Sequence, residues 1–296
     1  MSISGRYITI RGGNIIGTPP TTVPPSLLLD LYPSTQGQYY MHKVSNTYTG
    51  ACIRVRRSSD NTEQDIGFSG VDLDTSALLS FVGAGDGFVT TWYSQSGFFN
   101  LTQTSSSSQP AIVLGGTLQT LNGKPCLKFD GSNDFLTGGT SANNTNTNMY
   151  ATCIGELLAN NQSLFAKSIA AGYSGRYFII REGGNTYSHI NNVQQTIGNQ
   201  TSAKMFSVGS FFIPSVKLRM KTLLNNTIIA NTNTLSLLSG NVYRFLLGCY
   251  PNNTDTNQQF YNSGKIQCFG FWSGQDYEGD VSSINTIINN YYGIYP

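Results

Sequence analysis

The chain has 296 residues and a formal net charge of +2, and only 11% of its residues are charged, against the roughly 25% usual in soluble domains. Hydrophobic residues make up 39% of the chain, which is enough for a core and excludes disorder throughout. The balanced charge lacks the basic footprint of a nucleic-acid binder, and no run of about 18 apolar residues predicts a membrane span, so we expect neither nucleic-acid nor membrane partners.

Residues 1–35 are predicted to form a Pro-rich N-terminal arm, separate from a domain over residues 36–296. Residues 17–25 hold four of the ten prolines, which favour an extended path. A disordered terminus is the alternative that the sequence leaves open. The first residues show no charged region followed by an apolar stretch, so we predict no signal peptide. Work outside a cell would then need another route, such as assembly into a virus particle released by lysis.

Short β-patterned runs between Gly, Asn and Ser clusters recur from about residue 37 onward, a pattern that favours a β-sandwich. In the clearest of these runs Val216, Leu218 and Met220 alternate with basic residues, so one face is predicted to be buried. Asn225 and Asn226 then predict a hairpin turn, because Asn tolerates the positive φ angles that tight hairpins require.

Two short helices are predicted within this β pattern. The first has Asp74 as its N-cap and ends at Gly83. The second follows Asp280 and carries an apolar stripe at helical spacing, formed by Val281, Ile284, Ile287 and Ile288. Because each helix has one apolar face, both are predicted to pack on the outside of the sandwich.

The residue types of metal, cofactor and nucleophile sites are scarce and scattered, and no cofactor or metal site is predicted. His42 and His189 are the only histidines, and no G-x-S-x-G nucleophile elbow occurs. The five cysteines show no C-x-x-C spacing, so we expect all of them to be reduced and mostly buried: Cys52, Cys126, Cys153, Cys249 and Cys268.

A basic cluster is followed closely by acidic residues. Arginines at positions 54, 56 and 57 precede carboxylates at positions 60, 63 and 65. Because guanidinium groups pair well with carboxylates, the segment is predicted to form structural ion pairs. A binding role for the arginines is the alternative.

Several segments together resemble a known family: residues 54–68, 73–83 and 88–97 are similar to the catalytic domain of the α-L-arabinofuranosidase B family, a module that many bacteriophage virion proteins also carry. Residues 122–136 resemble the strand-and-turn signature of laminin-G-like, concanavalin-type jelly rolls, and residues 269–274 fit their closing strand. The resemblance implies an all-β, concanavalin-like jelly-roll β-sandwich, here with two short helices and an extended N-terminal arm.

The resemblance also implies catalytic positions. The family uses a Glu nucleophile at the end of a central strand, and Glu182 lies near that place but one residue out of register. The family's acid/base Asp falls at Asn252, with Asp255 as a substitute at a shifted position. In the motif at residues 93–97 this chain has Ser94 where the family has Asp. Glu182 and Asp255 are therefore the candidate catalytic residues, and the three departures argue against hydrolysis.

We accordingly expect a non-enzymatic bacteriophage virion structural protein, located in the virion as a capsid decoration, head fibre or tail-associated protein. The 1–35 arm is expected to bind other virion proteins, and the sandwich to form a homo-oligomer and to contact host-surface glycans. The surface of amides and hydroxyls fits such a displayed domain. The alternative is a glycoside hydrolase of arabinofuranosidase type, or a lectin-like carbohydrate-binding domain.

Overall fold

The computed structural model describes residues 25–142, 148–169, 177–190, 193–213, 217–235, 242–251 and 258–296. Three α-helices lie in these ranges: α1 (Leu28–Leu31), α2 (Thr75–Val82) and α3 (Val281–Tyr292). In the first half of the chain the strands are β1 (Gln38–Tyr40), β2 (Ile53–Arg57), β3 (Glu63–Ile66), β4 (Phe68–Ser69), β5 (Asp72–Leu73), β6 (Gly87–Trp92), β7 (Leu101–Thr102), β8 (Ala111–Leu114), β9 (Thr117–Leu118), β10 (Thr120–Leu121), β11 (Lys124–Pro125), β12 (Leu127–Lys128) and β13 (Leu136–Ala142). The second half holds β14 (Met149–Gly155), β15 (Gln162–Ile169), β16 (Tyr177–Glu182), β17 (Asn185–Ile190), β18 (Val193–Gly198), β19 (Lys204–Ile213), β20 (Lys217–Leu224), β21 (Thr227–Leu235), β22 (Val242–Leu247), β23 (Tyr250–Pro251), β24 (Gln258–Gln259) and β25 (Lys265–Ser273).

The strands form two antiparallel layers. The first sheet runs β21–β20–β19–β14–β25, and β1 and β12 pair with the other edge of β25. The second sheet runs β18–β17–β16–β15–β22–β13–β7–β6–β2–β3. Strand β8 pairs with both β6 and β12 and so joins the sheets along one side. The predicted all-β jelly-roll class is confirmed.

The main core lies between the two sheets, because alternate residues of each strand point to the same side. On β25, Phe269 and Phe271 point inward, and they meet Phe165 and Phe245 of the second sheet with ring centroids 4.8–6.1 Å apart. These aromatic contacts across the layers identify the inner faces of both sheets.

Helix α3 covers the outer face of the first sheet. Its stripe of Val281, Ile284 and Ile288 is buried against outward-facing side chains of the sheet, among them Tyr150 and Trp272. The predicted stripe is therefore confirmed, with Ile287 half-buried against the same cluster, although the Asp280 side chain makes no capping hydrogen bond. Helix α2 begins as predicted, with Asp74 Oδ1 accepting from the Ala77 N–H at 2.9 Å, but its buried side chains join the main core rather than lie outside it.

Residues 25–35, which the sequence assigned to the arm, pack on the sandwich. Leu28 and Leu29 of α1 are buried in the same cluster as α3, and the Trp272 indole N–H donates to the Tyr32 carbonyl at 3.2 Å. The rest of the predicted arm, residues 1–24, lies outside the described residues. Within the described ranges, no helix is both long and apolar enough to cross a membrane.

The predicted hairpin after β20 is confirmed. Asn225 and Asn226 both adopt positive φ angles, 47° and 64°. Met220 is fully buried, whereas Arg219 and Lys221 both pair with the Glu278 carboxylate. Val216 lies outside the described residues, so its predicted burial stays a prediction.

Candidate functional site

The outer face of the second sheet carries a cluster of aromatic rings, and no helix of the described ranges packs on it. In β16, Ile179 points into the main core, so Phe178, Ile180 and Glu182 share the outer face. Strand β17 places His189 and Tyr187 directly beside Phe178 and Ile180. Because side chains alternate between the two sides of each strand, β16 and β17 together present these residues as one continuous surface.

The rings on this surface contact one another. Phe178 stacks on His189 with centroids 4.1 Å apart and meets the edge of Tyr250 at 4.8 Å. Tyr250 in turn stacks on Phe260 at 6.0 Å. Tyr187, His189 and Phe260 are half-buried, so parts of these rings reach solvent. We call these five side chains, Phe178, Tyr187, His189, Tyr250 and Phe260, the aromatic face.

Glu182 lies at the end of the aromatic face. Its side chain is exposed, and its cross-strand neighbour is Asn185, across a turn in which both glycines have positive φ angles. Arg181, one residue earlier, points to the opposite side and donates to the Asn199 side chain at 2.5 Å. The carboxylate of Glu182 is therefore open to a ligand lying on the outer face.

The segment that contains Asp255, the second catalytic candidate, begins and ends near the aromatic face. Strands β23 and β24 pair with one another and bracket residues 252–257. Asn252 and Asp255 lie in that segment, outside the described residues, and their predicted roles stay predictions. Phe260, just beyond β24, accepts a hydrogen bond from the Ser163 N–H at 2.8 Å, and Ser163 pairs on its other side with Ile180. Two strand spacings, about 10 Å, thus separate this hairpin from β16.

Sequence reasoning missed a second carboxyl group near the aromatic face. Burial, with a smaller contribution from the neighbouring Asp130, raises the pKa of Asp134 to about 7. Such an acid is a candidate proton donor. However, β22 and β15 stand between β13, which follows Asp134, and β16, which carries Glu182. The axes of β13 and β16 are therefore about 14 Å apart, whereas paired glycosidase carboxyls lie about 5–9.5 Å apart. The Asp130 carboxylate accepts three backbone N–H groups of the same turn, which indicates a structural role for this loop.

The motif at residues 93–97 has a structural role. Buried Gln95 accepts from the Val44 N–H at 2.8 Å and donates to the carbonyls of Tyr40 and His42 at 3.2 and 2.7 Å. Ser94, which stands where the family has Asp, accepts from the Gln38 N–H at 3.2 Å. The motif therefore holds the chain around β1 against the second sheet, remote from the aromatic face.

The ion pairing predicted for the basic cluster is confirmed for two of its three arginines. Arg54 contacts Glu63 at 2.7 Å, and Arg57 contacts Asp60 at 2.7 Å. Arg56 is buried and donates to the Gln109 side chain at 2.7 Å instead. Arg56 also donates to the Asn61 side chain at 2.8 Å, so neutral acceptors hold this guanidinium group.

The other chemistry-bearing side chains are buried. All five cysteines are free and buried, as predicted. Burial lowers the pKa of His42 to about 3, and its ring stacks on Tyr291 with centroids 3.7 Å apart. Within the described ranges, no group of three or more His, Cys, Asp or Glu side chains could hold a metal ion.

Comparison with known proteins shows the fold. No protein-family model matches the chain, and no curated protein matches it in sequence. Similar solved structures include a GH54 α-L-arabinofuranosidase soaked with a cyclic sulfate inhibitor (TM-score 0.62, 16% identity), a mutant of a GH54 enzyme soaked with 4-nitrophenyl α-L-arabinofuranoside (0.63, 16%) and an arabinofuranosidase complexed with arabinofuranosyl-α-1,2-xylobiose (0.62, 15%). Each match covers 88% of this chain but 64% of the other, so the chain spans slightly less than two thirds of these proteins. The architecture implied by the resemblance is confirmed at the level of the fold.

Proposed function

We propose that this chain is a glycan-binding β-sandwich that holds arabinofuranosyl-containing carbohydrate on the aromatic face without hydrolysing it. The observation that carries the proposal is the aromatic face itself, an outer sheet surface with partly exposed rings and an exposed carboxylate at its end. The arabinofuranosyl ligand class is taken from the proteins that share the fold.

The chemistry of this surface suits a sugar. Aromatic rings offer flat apolar area to the C–H groups of a sugar ring, and half-buried rings do so without large losses of side-chain entropy. Asn185, Gln194 and Thr196 project from β17 and β18 on the same side as Tyr187, by strand pairing and alternation. Their amides and hydroxyl can donate to and accept from sugar hydroxyls. The face therefore combines stacking with neutral hydrogen bonding.

The positions of the carboxyl groups support binding without hydrolysis. A glycosidase needs two of them, about 5–5.5 Å apart for retention or about 6.5–9.5 Å for inversion. Asp134 lies too far from Glu182 to serve, and Asn252 stands where the family has its acid. A hydrolase is the second candidate, favoured by the exposed Glu182 at the end of the aromatic face, and it would need Asp255 as the partner.

The location in which the protein functions is a further part of the proposal. The resemblance to bacteriophage virion proteins supports a domain displayed on a virion, bound to other virion proteins through the N-terminal residues. A homo-oligomer on the particle would present several aromatic faces to host-surface glycans, and such multivalency would raise a weak affinity for each site.

Truncating one ring of the aromatic face tests the binding site. Replacing Tyr187 by alanine is expected to weaken binding of arabinofuranosyl-α-1,2-xylobiose about two- to tenfold, because stacking on one ring contributes about 0.5–1.5 kcal/mol. Isothermal titration calorimetry measures the change. Tyr32→Ala is the matched control, since Tyr32 is also half-buried but packs in the α3 cluster. Equal binding by the Tyr187→Ala variant and the wild type would place the site elsewhere.

A further inference from the structure

We propose that a pocket at the opposite edge of the second sheet binds a sugar carboxylate, such as a hexuronic acid. The pocket has a volume of about 420 Å³ and lies between residues 43–51, which follow β1, and residues 67–70, around β4. This size falls in the range of small-molecule sites. Strands β13, β7, β6 and β2 separate it from β22 and the aromatic face, so it is a second site that goes beyond the function proposed above.

Two glycines, Gly50 and Gly67, leave space in this pocket because they have no side chain. Gly50 allows the Tyr48 ring to fold over the backbone, where the Tyr48 hydroxyl donates to the Ala51 carbonyl at 2.8 Å; a Cβ at Gly50 would lie 2.5 Å from that hydroxyl oxygen. At Gly67 an added Cβ would meet no protein atom within 4 Å. The space beside Gly67 is therefore open, and its backbone does not need glycine for a positive φ angle.

Two aromatic rings form part of the pocket lining. Tyr48 and Phe68 meet edge to face, with centroids 6.4 Å apart and an interplanar angle of 77°. Both rings are half-buried, so part of each is accessible from the pocket side or from solvent. A pocket with aromatic area and a few polar groups is suited to a sugar ring rather than to a bare inorganic ion.

The charge of the lining selects an anionic sugar. Lys43 is the one charged residue that lines the pocket, and its ammonium group forms no ion pair within the described part of the chain. The neighbouring backbone N–H groups of Thr49, Gly50 and Ala51 donate to no protein acceptor in the same ranges. A carboxylate at the sugar ring would pair with Lys43, and the N–H groups are further donors for its oxygens.

Ligand-observed NMR titration at low salt tests this site with methyl β-D-glucuronide and, as the neutral counterpart, methyl β-D-glucoside. We expect the wild type to bind the glucuronide at least tenfold more tightly than the glucoside. Lys43→Met is expected to remove this preference, because it keeps the volume of the side chain and deletes the charge. Arabinofuranosyl binding at the aromatic face should be unchanged in this variant, which separates a failure of this site from a failure of the proposed function.

A second pair of variants tests the location. Gly67→Val fills the open space and is expected to abolish binding of both glycosides. Gly279→Val is the matched control and should bind as the wild type does, since a Cβ there also meets no atom within 4 Å and lies outside the pocket. The proposal is overturned if the wild type binds the two glycosides equally or binds neither, or if Lys43→Met keeps the preference for the glucuronide. It is also overturned if a Gly67→Val protein with a wild-type circular dichroism spectrum binds both glycosides normally. If Gly67→Val fails to fold, Lys43→Met decides the question alone.

Discussion

Replacing Lys167 by methionine is expected to stabilise the protein at neutral pH and to flatten the dependence of its unfolding free energy on pH. Lys167 lies on β15 and is 1% exposed, with its ammonium nitrogen 4.7 Å from the ring centroid of Phe271 and 5.3 Å from that of Phe245. Burial in the core lowers its pKa from 10.5 to about 7. Methionine has similar length and no charge to desolvate, so it suits this core position.

The sign of the pH effect follows from proton binding. Between pH 7 and 10.5 the unfolded chain keeps the proton on Lys167, whereas the folded protein releases it. The unfolding free energy contributed by this group therefore rises as the pH rises through that window, and the full penalty applies below about pH 7. In Lys167→Met this contribution is absent, and a gain of up to about 5 kcal/mol in the unfolding free energy is expected at pH 6.

Urea denaturation at pH 6, 8 and 9.5 measures this difference. Lys204→Met is the matched control, because Lys204 is half-buried at the start of β19 rather than enclosed in the core. The control should follow the wild-type curve at all three values. A Lys167→Met protein that is less stable than the wild type at pH 6, or that keeps the wild-type slope, would show that the folded protein accommodates the charged amine.

Replacing Gln95 by leucine is expected to destabilise the fold by about 3 kcal/mol or more. The Gln95 amide makes three hydrogen bonds to backbone groups of residues 40–44, and all the groups concerned are buried. Leucine keeps the volume but leaves these groups without their partner, and each loss costs about 1–3 kcal/mol. Urea denaturation measures the loss.

Gln119→Leu is the control for this experiment, because the Gln119 side chain makes an exposed hydrogen bond to the Thr117 carbonyl at 3.2 Å. Its cost is expected to stay below about 0.5 kcal/mol. A Gln95→Leu protein no less stable than the control would contradict a structural role for the motif at residues 93–97.

Local patterns of the sequence predicted the elements whose causes are local. The hairpin at Asn225 and Asn226 depends on two residues that tolerate positive φ, and the stripe of α3 depends on helical spacing. The pairing of Arg54 with Glu63 links neighbours along one hairpin. Each of these features is decided within about 12 residues of chain.

Features that depend on distant contacts could not be predicted in this way. A lysine favours an exposed position by its charge, and only contacts with Phe245 and Phe271, both far along the chain, show that Lys167 lies in the core. Leu28 and Leu29 follow a Pro-rich stretch and read as part of an arm, but their burial depends on α3 at the other end of the chain. The aromatic face likewise depends on β16 and the β23–β24 hairpin meeting across β15.

The most direct test of the proposed function follows binding and turnover in one sample. The wild type is incubated with 4-nitrophenyl α-L-arabinofuranoside, and NMR records both saturation transfer from the protein to the intact glycoside and the release of 4-nitrophenol. We predict transfer to the glycoside, weakened in Tyr187→Ala but not in Tyr32→Ala, with no release above that of a protein-free sample. Release by the wild type that is abolished by Glu182→Gln and by Asp255→Asn would contradict this account and establish a glycoside hydrolase.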